Sequence, residues 1–159
     1  ITTVFSPEVL LSIAALAAVY YFLKKCRYRA ALVFLSAAGG VTLGAAVKYL
    51  IARPRPLGSL VEETGFSFPS NHAITAMIFF YLVILLFGKN IKNIRLKNLF
   101  VAGNLILILL VGFSRIYLKV HYFSDVMAGY ALGLFWLTLL ILLFRLCFKL
   151  WGDRPWLKK

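Results

Sequence analysis

Three stretches of this sequence carry residue types that bind an anion and move a phosphoryl group. Pro69-Ser70-Asn71-His72 sets a serine immediately ahead of an apolar run. Serine is a good helix N-cap, and a helix N-terminus offers unpaired backbone N–H groups and the positive end of the helix dipole, together an anion site. His72 falls in the first turn, placed to hand a proton to a bound group. His121 and Asp125 lie four residues apart; on a helix they share a face and can hydrogen-bond. A carboxylate on one imidazole nitrogen fixes the tautomer and makes the other nitrogen a better base or nucleophile. Lys48, Arg55 and Arg115 supply positive charge. Guanidinium forks match phosphate oxygens two at a time and stabilise the charge of a phosphoryl-transfer transition state.

Each feature alone has an ordinary explanation: a helix cap, a polar pair at a helix start, cationic side chains reaching for lipid headgroups. That explanation weakens when both histidines of the chain and the one span-associated carboxylate fall on the same side of the membrane. A two-metal site needs several carboxylates, and this side offers Asp125 with only the loop residues Glu62 and Glu63. The residues therefore point to metal-free phosphoryl transfer with a histidine nucleophile, and no cofactor is expected. Cys26 and Cys147 show neither metal-ligand spacing nor a disulfide framework and receive no role.

The elements that must position these groups are membrane spans. Of the 159 residues 62% are hydrophobic and only 14% charged, and the mean hydropathy is +0.90, too apolar for a water-soluble domain. Candidate spans run from Val9 to Leu23, Ala30 to Val47, Ala73 to Phe87, Leu99 to Phe113 and Val126 to Phe144. Several fall short of the roughly 20 residues that cross hydrocarbon. Tyr20, Tyr21, Tyr122, Trp151 and Trp156 would complete them as an interfacial aromatic belt.

The net charge of +13 is met by topology, and no nucleic acid partner is expected. Residues 24–29 and 89–97 carry four cations each, and Arg145, Lys149, Arg154, Lys158 and Lys159 add five in the tail. These alternate connections are cytoplasmic by the positive-inside rule. Lys48, Arg53, Arg55, Arg115 and Lys119 remain on the outer side. The arrangement puts Ile1 outside, which implies a further upstream span and six in the intact protein. Small residues repeat every four positions at Ser36, Gly40 and Gly44 leading to Lys48, and at Gly129 and Gly133 following His121 and Asp125. Such stripes let helices approach closely and would bring Lys48 to the His121/Asp125 pair if the second and fifth spans are neighbours. The expected fold is an all-α integral membrane helical bundle, one domain over residues 1–159, with five spans in this chain.

The same residues resemble the three-part signature of the type 2 phosphatidic acid phosphatase superfamily. Its Lys, six residues, Arg-Pro is matched by Lys48-Tyr49-Leu50-Ile51-Ala52-Arg53-Pro54-Arg55-Pro56. Its Pro-Ser-Gly-His is matched by Pro69-Ser70-Asn71-His72, with Asn71 in place of glycine, and its third part by Ser114-Arg115 through His121 to Asp125. The resemblance implies that His121 is the phosphoryl-accepting nucleophile, Asp125 orients it and His72 protonates the leaving group. It implies further that Lys48, Arg55, Ser70 and Arg115 hold the phosphate, with Asn71 either crowding or bonding it. Arg53 fits no motif position and is expected, like Lys119, to serve only as an interfacial cation.

The function expected from the resemblance is hydrolysis of a lipid phosphate or diphosphate at the periplasmic or exterior face of a bacterial inner membrane. The connection from Leu57 to Phe68 leaves little room for a lid. This compactness is most like the lipid A 1-phosphatases; phosphatases of undecaprenyl diphosphate or phosphatidylglycerol phosphate, or a lipid phosphotransferase, are the alternatives. A transporter would need polar groups continuing across the bilayer, whereas here they stop at the outer side apart from Asn104. The partners are thus a lipid phosphate and the bilayer, with the oligomeric state left open.

Overall fold

The computed structural model describes residues 4–151, with side chains placed through residue 147. Its helices are α1 (Pro7–Leu23), α2 (Arg27–Ile51), α3 (Asn71–Phe87), α4 (Ile94–Tyr117) and α5 (Phe123–Trp151), with one 3-10 turn at Gly88–Asn90. Every expected span is a helix, and each helix outruns its apolar run because capping and interfacial residues extend the ends. Ser6 accepts the Val9 N–H ahead of Pro7, Ser70 accepts that of Ala73, and Asn93 accepts those of Arg95 and Leu96. Four of the helices are long and apolar enough to cross a membrane; α1 is a shorter apolar helix. Among the described residues there is no strand.

The central element is α3, which packs against all four other helices. Its sequence is apolar around its whole circumference, as a helix enclosed by others requires. Ala73, Ala76 and Phe80 face a cluster with Ile108, Val111 and Val126. Ile74, Ile78 and Leu82 face another with Leu32, Leu137 and Leu140. Both small-residue stripes point at this helix. A Cβ on Gly129 would lie 2.8 Å from the Ser70 carbonyl oxygen, and one on Gly133 2.9 Å from that of Ile74. Gly40 and Gly44 of α2 lie against Ile78 and Ile74. The second and fifth helices are also neighbours, joined where Trp136 Nε1 donates to the Leu35 carbonyl at 3.1 Å.

Outward-facing Leu16, Phe34, Leu99, Leu109 and Phe135 give the bundle an apolar exterior, the surface that a hydrocarbon solvent selects. The chain is an all-α, multi-pass integral membrane bundle. The connections rich in cations, residues 24–26 and 88–93, close one end of it, where the Tyr28 ring meets Phe144 with centroids 5.2 Å apart. Of the tail cations only Arg145 falls among the described side chains. Lys149, Arg154, Lys158, Lys159 and the side chains of Trp151 and Trp156 lie outside them.

The aromatic belt is only partly as expected. Tyr20 is exposed, but Tyr21 is buried because it shares the face of α1 that carries Ala14 and Ala18 and packs against Val33 of α2. Asn104 is also no step in a polar path, since its side-chain amide donates to Phe100 O of its own helix at 2.8 Å.

Candidate active site

The end of α2, the starts of α1, α3 and α5 and the end of α4 meet at the opposite end of the bundle, around a cavity of about 450 Å³. Lys48, Arg55, Asn71, His72 and His121 line it, as does Glu63 from the connection between α2 and α3. Leu11 of α1 and Val41 and Tyr49 of α2 form an apolar side wall. Ser70, Arg115 and Asp125 stand behind the lining, each almost wholly buried.

His121 is not on a helix, as its spacing to Asp125 suggested. It lies in the turn between α4 and α5, which leaves α4 through Lys119 at a φ of 54° and is held by a Val120 N–H to Arg115 carbonyl bond of 3.2 Å. Asp125 sits in the first turn of α5 and folds back on this loop. Its Oδ2 accepts the Tyr122 N–H at 2.9 Å and stands 3.5 Å from His121 Nδ1. The latter is an ion-pair distance longer than a well-formed hydrogen bond, so Nδ1 is left without a bonded partner; catalytic hydrogen bonds are often long until substrate arrives. Burial holds the His121 imidazole down to about 3, helped by the charges of Arg55, Arg115 and Lys48. His121 is therefore neutral near pH 7, the state a nucleophile needs.

The second motif is tied to the third through backbone. The Ser70 N–H donates to the Asp125 carbonyl at 3.0 Å, and the glycine contacts at 129 and 133 permit that approach. Ser70 Oγ is used as the cap of α3, accepting the Ala73 N–H at 3.4 Å. His72 faces the cavity one residue into α3, under the electrostatic influence of Arg115, Glu63, Glu8 and Arg55. The Asn71 Oδ1 is buried without a partner on the side of Gly44.

The cations divide their bonds between the cavity and the backbone around it. Lys48 Nζ donates to the carbonyls of Phe66 at 2.8 Å and Pro69 at 3.1 Å, fixing the chain that leads into α3. Arg55 donates to the carbonyls of Val120 at 3.0 Å, Thr64 at 3.0 Å and Gly65 at 3.1 Å.

Two residues that the sequence reading passed over belong to this constellation. Glu63 bridges Arg55, at 3.3 Å, and Arg115, so that its carboxylate lies between two guanidinium groups. Burial pushes its carboxyl up, but Arg115 and then Arg55 outweigh that and hold it below the usual range. The second is Arg53, whose expected role as a headgroup cation does not describe it. Its Nη1 donates to Asp125 Oδ1 at 2.9 Å and to Ser124 Oγ at 2.7 Å. The signal for Arg53 was the doubled Arg-Pro of residues 53–56: proline keeps the preceding residue extended, so both arginines reach across to the same loop. For Glu63 the signal was weaker, an acidic residue on an otherwise cationic side.

Among the described residues no group of three or more His, Cys, Asp and Glu is arranged to hold a metal ion. What the site can do is attract an anion and present to it a neutral imidazole and a second imidazole on the same cavity. Phosphatidylglycerophosphatase B of Bacillus subtilis (strain 168) is 36% identical over 95 residues, 58% of this chain and 46% of that protein. The match thus spans under half of that relative's length. The crystal structure of the first transmembrane PAP2 type phosphatidylglycerolphosphate phosphatase, also from Bacillus subtilis, is 30% identical with a TM-score of 0.71, covering 90% of this chain and 70% of that one. The PAP2 superfamily profile matches residues 29–149, from the start of α2 through all three motifs into α5, and the chain belongs to that superfamily.

Proposed function

We propose that this chain hydrolyses the phosphate of a membrane lipid through a phosphohistidine intermediate, without a metal. The observation that carries this reading is the convergence on one cavity of His121, backed by Asp125, with His72 and the cations Lys48 and Arg55. His121 Nε2 attacks phosphorus while its Nδ1–H is held by Asp125. The bond from phosphorus to the lipid oxygen breaks, and His72 gives that oxygen a proton. Water, deprotonated by His72, then attacks the phosphohistidine and releases phosphate. Arg55, Arg115 and Lys48, with the α3 N-terminus behind Ser70 and Asn71, stabilise the transferring group.

Among lipid phosphates, phosphatidylglycerophosphate is favoured over the lipid A 1-phosphate suggested by the compactness of the chain, because both relatives are by name phosphatases of that glycerol lipid. By the positive-inside rule, the cations at the far end of the bundle favour a cytoplasmic position for that end, which on this reading leaves the site at the periplasmic or exterior face of a bacterial inner membrane.

The test uses leaving-group chemistry. A glycerol alkoxide leaves poorly without a proton, so His72→Ala should lose roughly 100-fold to 10,000-fold on phosphatidylglycerophosphate. On p-nitrophenyl phosphate, whose leaving group needs little help, the loss should be far smaller. Equal losses on both substrates would remove His72 from the role of acid.

A further inference from the structure

We infer that Arg53 is a positioning residue for the nucleophile, acting through Asp125. The inference rests on the reading of His121 as nucleophile and extends the phosphate-site machinery to a residue that occupies none of the three motifs' specified positions. Asp125 is fully buried, and its two oxygens have separate partners. Oδ2 faces the Tyr122 N–H and His121 Nδ1, while Oδ1 receives Arg53 Nη1 at 2.9 Å. A carboxylate out of water needs a countercharge, and among the described residues Arg53 is the only cation paired with it. With Oδ1 occupied, rotation of the carboxylate is blocked and Oδ2 stays aimed at the imidazole.

Arg53 is itself held on several sides. Ala52 takes a left-handed conformation with φ 46° and ψ 38°, which ends α2 and turns the chain toward the α4–α5 loop. The Arg53 carbonyl accepts the Ser67 N–H at 2.8 Å. Its guanidinium lies 4.0 Å above the Tyr122 ring centroid and shares Nη1 with Ser124 Oγ at 2.7 Å. Two residues on, Arg55 reaches Val120 O, so the doubled Arg-Pro runs along the His121 turn and brackets it from 120 to 125. The Arg53 side chain is 36% exposed and is not among the residues that line the cavity.

The test is a double-mutant cycle with steady-state kinetics on p-nitrophenyl phosphate and a lipid phosphate. Arg53→Ala should lower kcat about 10- to 100-fold with KM little changed, the scale typical of losing a partner that orients a catalytic group. In the Asp125→Asn background the same change should add nothing. Ethylguanidine should restore part of kcat to Arg53→Ala, which a misfolded protein would not permit, and no rescue would count against the inference. Arg53→Lys, which keeps the charge with one donor, covers failure of the alanine variant to fold and should fall between wild type and Arg53→Gln. Losses that multiply across the cycle, a change confined to KM, or full activity in Arg53→Gln would overturn the inference. His121→Ala is run alongside: if it retains activity the nucleophile reading itself falls, and if it is inactive while Arg53 variants are normal, only the role of Arg53 falls.

Discussion

The α4–α5 turn and the connection between α2 and α3 face each other across one cavity, and they are held by different kinds of force. The turn, with the two helix ends it joins, carries Arg115, His121 and Asp125, all nearly wholly buried. It is fixed by backbone: the Ser70 N–H on the Asp125 carbonyl, and glycines at 129 and 133 that bring α5 onto α3 within carbonyl contact. The connection carries Arg53, Arg55 and Glu63, partly exposed and fixed mainly by side-chain bonds to carbonyls and to one another. On the proposed mechanism, the nucleophile and the carboxylate behind it thus sit on a packed frame. Arg55 and Glu63 sit on a partly exposed segment, where on the same reading phosphate would displace Glu63. Catalysis rewards fixed geometry at the reacting atoms, whereas binding must let the ligand in and out.

The largest expected effect is on the frame side. His121→Ala should abolish turnover on every substrate, lipid or aryl, because on the proposed mechanism His72, the other imidazole on the cavity, serves as the acid and not as the phosphoryl acceptor. Rapid-quench capture of a labelled phosphoprotein in wild type and its absence in the variant would confirm it; a surviving phosphoprotein would move the nucleophile elsewhere.

Next come the receiving cations. Arg55→Ala and Arg115→Ala should each lose about 100-fold or more in kcat/KM, as single transition-state charge donors do, while exposed Lys119→Ala stays near wild type. Arg55→Ala should also move a pH profile. The His121 imidazole is held down to about 3 by burial first and Arg55 second, and the neutral form is the active one. The acid limb of kcat/KM belonging to the enzyme should therefore lie well below pH 6.5 in wild type and shift upward when Arg55 is removed. An acid limb near 6.5 that ignores Arg55 would show that His121 is not buried beside these charges.

A smaller effect sharpens the contrast from the structural side. In Gly129→Ala the added methyl would meet the Ser70 carbonyl at 2.8 Å, and overpacking against backbone typically destabilises by about 1–3 kcal/mol. The melting temperature in detergent should fall and kcat with it, since Ser70 and Asp125 separate together. Gly65→Ala, in the α2–α3 connection with open space around it but a φ of 74°, should change stability less and leave His121 chemistry intact.

The smallest effect concerns Glu63. Its carboxylate competes with phosphate for Arg55 and Arg115, so Glu63→Ala should strengthen inhibition by vanadate, by about 3- to 10-fold if the lost contact resembles an ordinary charge-assisted hydrogen bond. Unchanged or weaker inhibition would mean that Glu63 organises the arginines for the anion and does not exclude it.

Much of this was legible without coordinates. Hydropathy alone forces helices, since backbone polar groups in lipid have no other way to be satisfied. The cationic connections then set which ends lie together, and that brought Lys48, Arg55, Ser70, His72, Arg115, His121 and Asp125 to one side of the bundle. The spacing of small residues marked which helix faces approach closely. Long-range partnership was another matter. That both glycine stripes converge on α3, that His121 stands in a turn ahead of its helix, that Arg53 answers Asp125 from 72 positions away and that Glu63 lies between two arginines all depend on where loops cross in space. Local sequence sets helices because their hydrogen bonds close within four residues. The Tyr122 N–H reaches Asp125 Oδ2 within three residues, but the bond from Arg53 to Oδ1 closes only after the whole bundle has packed, and that half of the carboxylate's aim belongs to the tertiary structure.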